Sequence, residues 1–116
     1  MNGRILVTPR SLSKCAHAAL MPLVEAGYEL VYPAPGATPN ESQLTAGISG
    51  CVGWLAGVEH VSEAVIEAAD VLRVISRNGT GVDNLPMQAI EAKGIVVRRA
   101  EGTNARSVAE LALALA

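Results

Sequence analysis

Short aliphatic runs alternate along the chain with longer stretches whose apolar positions recur every three or four residues. "RILVT" (4–8), "YELVY" (28–32), "CVGWLAG" (51–57), "VLRVIS" (71–76) and "IVVRR" (95–99) are short and rich in β-forming aliphatic residues, and they predict five strands. "SKCAHAALMPLVEAG" (13–27) has helical spacing, with Ser13 as its cap, a kink at Pro22 and Gly27 as its end. After the loop "PAPGATPN" (33–40), Asn40 caps a short helix, "ESQLTAGI". Ser62 opens a helix with "EAVIEAA", where Glu63 lies in the first turn and complements the helix dipole. Pro86 suits the first turn of "PMQAIEAKG", which Gly94 closes, and from Asn104 the pattern is helical to the end.

Strands alternating with helices predict a parallel sheet covered on both faces. With right-handed crossovers, the simplest solution is an α/β, flavodoxin-like, doubly wound five-stranded sheet in the order 2-1-3-4-5. Neither an internal repeat nor a low-complexity segment interrupts it. The last helix carries one charge in "SVAELALALA" and is apolar nearly all round, a composition that expects burial. Val108, Leu111 and Leu115 share one stripe, and Leu113 lies off it. The chain is therefore expected to continue beyond its last residue. Any part of the helix that its own sheet does not cover is expected to promote self-association, most simply as a homodimer.

Composition narrows the class. The chain of 116 residues fits one domain, and with half its residues hydrophobic and 17% charged it is not disordered. It has no Phe, one Trp and two Tyr, which does not suit an aromatic nucleic-acid platform. A formal charge of -2 gives no footprint for nucleic acid or for an anionic membrane. No apolar run approaches the roughly 18 residues of a membrane span and no signal peptide precedes the first strand, so a cytoplasmic location is expected. Cys15 and Cys51 are not metal-spaced and read as reduced core residues.

The candidate chemistry lies in "SRNGTGVDNL" (76–85), where G-x-G follows a strand at the carboxyl edge of the sheet. Gly79 and Gly81 would let bare N–H groups meet a carboxylate or phosphate, with Asp83 and Asn84 closing the turn and capping the next helix. The dinucleotide fingerprint needs a third glycine at the sixth position, and Asn84 stands there instead. The same two glycines serve equally well as a plain strand-to-helix turn.

The run "VISRNGTGVDNLPMQAIEAKGIVVRRAEGTNARSVAELALAL" resembles the D-isomer-specific 2-hydroxyacid dehydrogenases, especially the D-3-phosphoglycerate dehydrogenase-like members. The likeness is densest over 74–115, in G-T-G-V-D-N, "AKGIVV" and N-x-x-S-V-A-E, and "AGVEHVSEAVIEAAD" fits in order and spacing. It implies that residues 1–103 form a substrate-binding domain and that 104–116 begin a crossover helix to a Rossmann domain binding NAD or NADP. It also implies that the backbone of Asn78, Gly79, Thr80 and Gly81 receives the carboxylate of a 2-hydroxy or 2-keto acid, 3-phosphoglycerate being one candidate. Thr80 and Glu110 then fall on the cofactor side, and Asn104, Ser107 and Glu110 at the interdomain crossover.

The resemblance has departures. Phosphoglycerate enzymes often place an Arg after the third strand, where Ala56 and Gly57 stand here, followed by Glu59 and His60. Relatives usually have Pro at the position of Glu101. The family's catalytic Arg, Glu and His and its G-x-G-x-x-G are not in these residues, so no catalytic or metal-binding residue is assigned. The chain alone is expected neither to hold NAD tightly nor to transfer hydride. His17 and His60 have no carboxylate at pairing distance along the sequence and read as packing or surface residues. Arg77 reads as solvated or ion-paired, and Trp54 as packed in or beside the third strand. A stand-alone flavodoxin-like module that binds a small carboxylate without turnover is the alternative.

Overall fold

The computed structural model of the chain describes residues 3–13, 18–57, 59–78, 84–100 and 104–115, with Ser11 and Asn78 described by their backbone alone. Five strands form one sheet: β1 (Arg4–Val7), β2 (Glu29–Val31), β3 (Cys51–Ala56), β4 (Val74–Asn78) and β5 (Val96–Ala100). All four pairings are parallel, and the order is β2-β1-β3-β4-β5, as the pattern predicts. Leu6 pairs with Trp54 and Val7 with Leu55, while Leu55 pairs with Ser76 and Ala56 with Arg77. This register brings the carboxyl ends of β1, β3 and β4 level, beside the β1/β3 point where the strand order reverses. In open α/β sheets the ligand crevice opens at such a point.

Two-residue alternation sends successive side chains to opposite faces. Leu6, Trp54, Ala56 and Ile75 pack with Leu44 and Ile48 of α3 (Glu41–Ile48), Val65 and Ile66 of α4 (Glu63–Ala68), and Ile90 of α5 (Met87–Ala92). Ile5, Val7, Leu55 and Val74 pack on the other face with Leu12, Leu20, Leu23 and the stripe Val108, Leu111 and Leu115 of α6 (Asn104–Leu115). Each of the fully buried Val, Leu and Ile side chains contributes roughly 1.5–3 kcal/mol of transfer free energy. Gly53 lets α6 lie close to β3, since a Cβ there would meet Leu115 Cδ1 at 3.0 Å and Leu111 Cδ1 at 3.2 Å. Leu113, off the stripe, is 74% exposed.

The helix boundaries show where local signals hold. Asn40 makes a full capping box: its side chain accepts from Gln43 N at 2.9 Å, and Gln43 Oε1 accepts from Asn40 N at 2.9 Å. The first helical region differs from expectation. It is divided into α1 (Arg10–Ser13), a 3-10 turn (Ala18–Leu20) and α2 (Met21–Glu25), and residues 14–17, with Cys15 and His17, lie outside the described residues. Ser13 ends α1, and its Oγ accepts from Gly36 N at 3.1 Å and fastens the 33–40 loop. Pro22 starts α2 rather than kinking a longer helix, because in a first turn its missing N–H has no bond to lose.

Ser62 precedes α4, yet its hydroxyl donates to the Glu41 carboxylate of α3 instead of capping. The other end of α4 is closed by Lys93, whose Nζ donates to the carbonyls of Ile66, Glu67 and Ala69 at 2.8, 3.1 and 2.7 Å. Strand β4 starts later and ends later than its apolar run suggests, at Val74 and Asn78. Leu72 is drawn into the α4 and α5 core, and pairing begins after Arg73 N has donated to Val52 O at 2.8 Å. Among the described residues, no helix is long and apolar enough to cross a membrane.

Candidate functional site

The carboxyl edge of β1, β3 and β4 carries a buried polar network where the aliphatic core ends. Thr8 follows β1 and is 3% exposed, Glu59 lies in the β3–α4 turn and is 2% exposed, and Trp54 of β3 is fully buried. Trp54 Nε1 donates to Thr8 Oγ1 at 3.0 Å, and the Thr8 hydroxyl donates to the Glu59 carboxylate. Gly57 N also donates to that carboxylate, at 3.0 Å to Oε1 and 3.3 Å to Oε2. Gly57 is required here for room. A Cβ would stand 2.9 Å from Glu59 Oε1 and 3.1 Å from the Pro9 backbone.

Asn84 joins this turn to β4. Its Nδ2 donates to Gly57 O at 3.2 Å and to Glu59 O at 2.8 Å, which uses both protons of the amide. Its Oδ1 accepts from Arg77 Nε at 3.3 Å, and its backbone carbonyl accepts from Val61 N at 3.0 Å. Arg77 thus bonds to a residue seven positions on. That clasp joins Arg77 to Asn84, the two residues on either side of 78–83. Beside it, a cleft of about 320 Å³ opens between His60–Glu63 and Asn84–Pro86.

Of the residues expected to receive the substrate, Asn78 closes β4, with its backbone in register with Ala100 of β5. Gly79, Thr80 and Gly81 lie outside the described residues, as does Asp83. Asn84 does not cap α5, which has Pro86 at its N-cap; its side chain bonds to the neighbouring turn instead. Glu110 is half-buried on α6, which packs on β3, β4 and β5. His60 is exposed. Sequence reasoning missed Thr8 and Glu59 as members of the edge, although both stand just past the ends of apolar runs, where polar residues face a crevice. Among the described residues no cluster of His, Cys, Asp or Glu could hold a metal ion. The chain's G-x-G run has Asn84 where a pyrophosphate cradle has its third glycine.

A doubly wound α/β domain with a buried polar network at its carboxyl edge is thus the class of protein. The family model described as "D-isomer specific 2-hydroxyacid dehydrogenase, catalytic domain" matches residues 7–114, and the chain belongs to that family. It is a family of oxidoreductases acting on small hydroxy and keto acids. The chain is 38% identical over 73 residues to D-3-phosphoglycerate dehydrogenase of Homo sapiens, a match covering 62% of this chain and 14% of that protein. It is 46% identical over 55 residues to hydroxypyruvate reductase of Thermotoga maritima, covering 47% of this chain and 18% of that one. Among solved structures, a protein of Thermus thermophilus superposes with a TM-score of 0.70 at 30% identity, over 81% of this chain and 29% of its own. An NAD+-bound 3-phosphoglycerate dehydrogenase of Entamoeba histolytica shares the fold, with a TM-score of 0.70 at 22% identity over 84% of this chain and 32% of its own. The chain thus spans less than a third of the length of each of these proteins.

Proposed function

We propose that this chain is the acid-binding part of an NAD(P)-dependent oxidoreductase that interconverts a D-2-hydroxy acid and its 2-keto acid. The observation that carries the reading is the Arg77–Asn84 clasp, which joins the residues flanking 78–83 at the carboxyl edge. Backbone N–H groups of Asn78, Gly79, Thr80 and Gly81 receive the substrate carboxylate, as an anion-binding nest of glycine-permitted backbone can. NAD or NADP is held by sequence beyond these 116 residues, approached by Thr80 and Glu110, and supplies the hydride chemistry when bound. The chain's own part is to bind and orient the acid. Phosphohydroxypyruvate and hydroxypyruvate are the first acids to test, since relatives bear the corresponding names.

The test is reduced-nicotinamide oxidation by the full-length gene product with a panel of 2-keto acids. Turnover of at least one is expected. Gly81→Val should raise KM for the acid about 10- to 100-fold, the equivalent of one charge-assisted hydrogen bond of roughly 1.5–3 kcal/mol, with cofactor affinity retained. Acid binding without turnover by any of the panel would instead favour a carboxylate-binding module, and an unchanged KM in the Gly81 variant would return the loop to a plain turn.

A further inference from the structure

We infer that Glu59 is the positioning residue of this edge: its buried carboxylate closes the β3–α4 turn against β1, and that turn in turn orients Asn84 and, through it, the Arg77 side chain. This rests on the proposed acid site only for its kinetic consequence; the orientation of Asn84 stands on the geometry alone.

A carboxylate at 2% exposure needs donors in place of the water it has lost. They come from the Gly57 N–H, two residues back, and from the Thr8 hydroxyl, itself steered by Trp54 Nε1 at 3.0 Å. The indole has only a donor to offer, so it fixes which lone pair of Thr8 is taken and leaves the hydroxyl proton for an acceptor. The consequence lies in the backbone. Because Glu59 folds back on Gly57, the carbonyls of residues 57 and 59 converge on the one amide of Asn84, at 3.2 and 2.8 Å. That leaves Oδ1 of Asn84 aimed at Arg77 Nε, 3.3 Å away. Without the carboxylate, only the Val61 N–H bond to Asn84 O and the amide itself tie the turn to Asn84, and the two carbonyls are expected to part. Glu59 touches no reacting atom in this arrangement. It acts through Asn84.

Gln at position 59 can keep the arrangement: its Oε1 accepts from Gly57 N, its Nε2 donates to Thr8 Oγ1, and Thr8 turns its proton to Leu55 O, already 3.1 Å away. Ala cannot. In the 116-residue chain, the side-chain amide protons of Asn84 are expected to be dispersed and slow to exchange in an NMR spectrum. They should collapse to solvent-like behaviour in Glu59→Ala and persist in Glu59→Gln. In the full-length gene product, Glu59→Ala should raise KM for the keto acid tenfold or more with kcat within threefold, the pattern of lost uniform binding, and Glu59→Gln should restore it. If Glu59→Ala does not fold, Thr8→Val removes one donor from the same carboxylate and should shift the Asn84 resonances and raise KM about threefold.

Asn84 resonances that survive both Glu59→Ala and Thr8→Val overturn the inference. So does a loss that Gln fails to rescue, whereas a collapse of those resonances with KM unchanged upholds the orientation and counts against the proposed acid site. Absence of turnover in the wild-type protein would sink the proposed function instead, and the Asn84 spectrum would still decide whether Glu59 orients it.

Discussion

Strand β3 has a glycine at each end whose N–H donates to a carboxylate, and the two pairs behave as opposites. Before the strand, Gly50 N donates to Asp70 Oδ1 at 2.8 Å on an exposed surface. After it, Gly57 N donates to Glu59 Oε1 at 3.0 Å inside the protein. The first glycine is there for its backbone, with φ at +80° and Arg4 Cδ and Nη1 no nearer than 3.7 Å to a built Cβ. The second is there for its missing side chain, whose place the carboxylate and the Pro9 backbone have taken. One chemical pair therefore does two jobs. At the amino edge it trims a turn in water, where screening keeps it weak. At the carboxyl edge it is dry, and whatever depends on its geometry inherits that stiffness.

The sharpest way to break this comparison is to add a methyl group at each glycine. Gly57→Ala should cost about 2–5 kcal/mol, combining overpacking with a displaced buried hydrogen bond. Gly50→Ala should cost roughly 1–2 kcal/mol, the penalty of a left-handed backbone alone. Thermal unfolding followed by the fluorescence of Trp54, the single tryptophan and part of the buried network, reads both. Equal losses of Tm would show that the carboxyl edge is no more constrained than the amino edge.

A smaller effect separates the two edges by acid. The N–H of Gly50 holds the Asp70 carboxyl below the usual aspartate range. A depressed folded pKa gives stability that is present above the unfolded value of about 3.9 and disappears as the pH falls through the folded one. Asp70→Asn should therefore lower Tm slightly at pH 7 and leave the variant and wild type alike at the acid end of that window, with high salt narrowing the difference. A Tm gap that persisted unchanged below about pH 3, under the unfolded aspartate value, would mean that Asp70 acts through shape rather than charge.

The mildest probe is Cys51, which starts β3 and is buried and free. Burial pushes its thiol up to about 11, outweighing the opposing pull of Arg4. In a Cys15→Ser background it should resist thiol reagents at about pH 8 while folded and react once denaturant is added. Fast modification of the native protein would mean that the amino edge opens more readily than its packing implies.

What could be read along the chain and what could not divides by the range of the forces involved. Alternation and turn chemistry are local, so the five strands, the sheet order, the Asn40 cap and the α6 stripe of Val108, Leu111 and Leu115 were all legible. The first helical region was less so, because it is divided into α1, a 3-10 turn and α2, and Ser13 bonds to Gly36 across the fold. The family likeness of the 74–115 run was legible too, since it rests on ordered motifs. Glu59 was not. In sequence it is an acid in a loop between Val58 and His60, indistinguishable from a solvated one. Only the parallel register of β1 beside β3 carries Thr8, 51 residues away, between the Trp54 indole and the Glu59 carboxylate, and only the pairing of β3 with β4 carries Asn84 to the carbonyls of Gly57 and of Glu59 itself. Short-range periodicity made the scaffold readable; burial, a property of the assembled sheet, decided which polar residues the scaffold would fix in place.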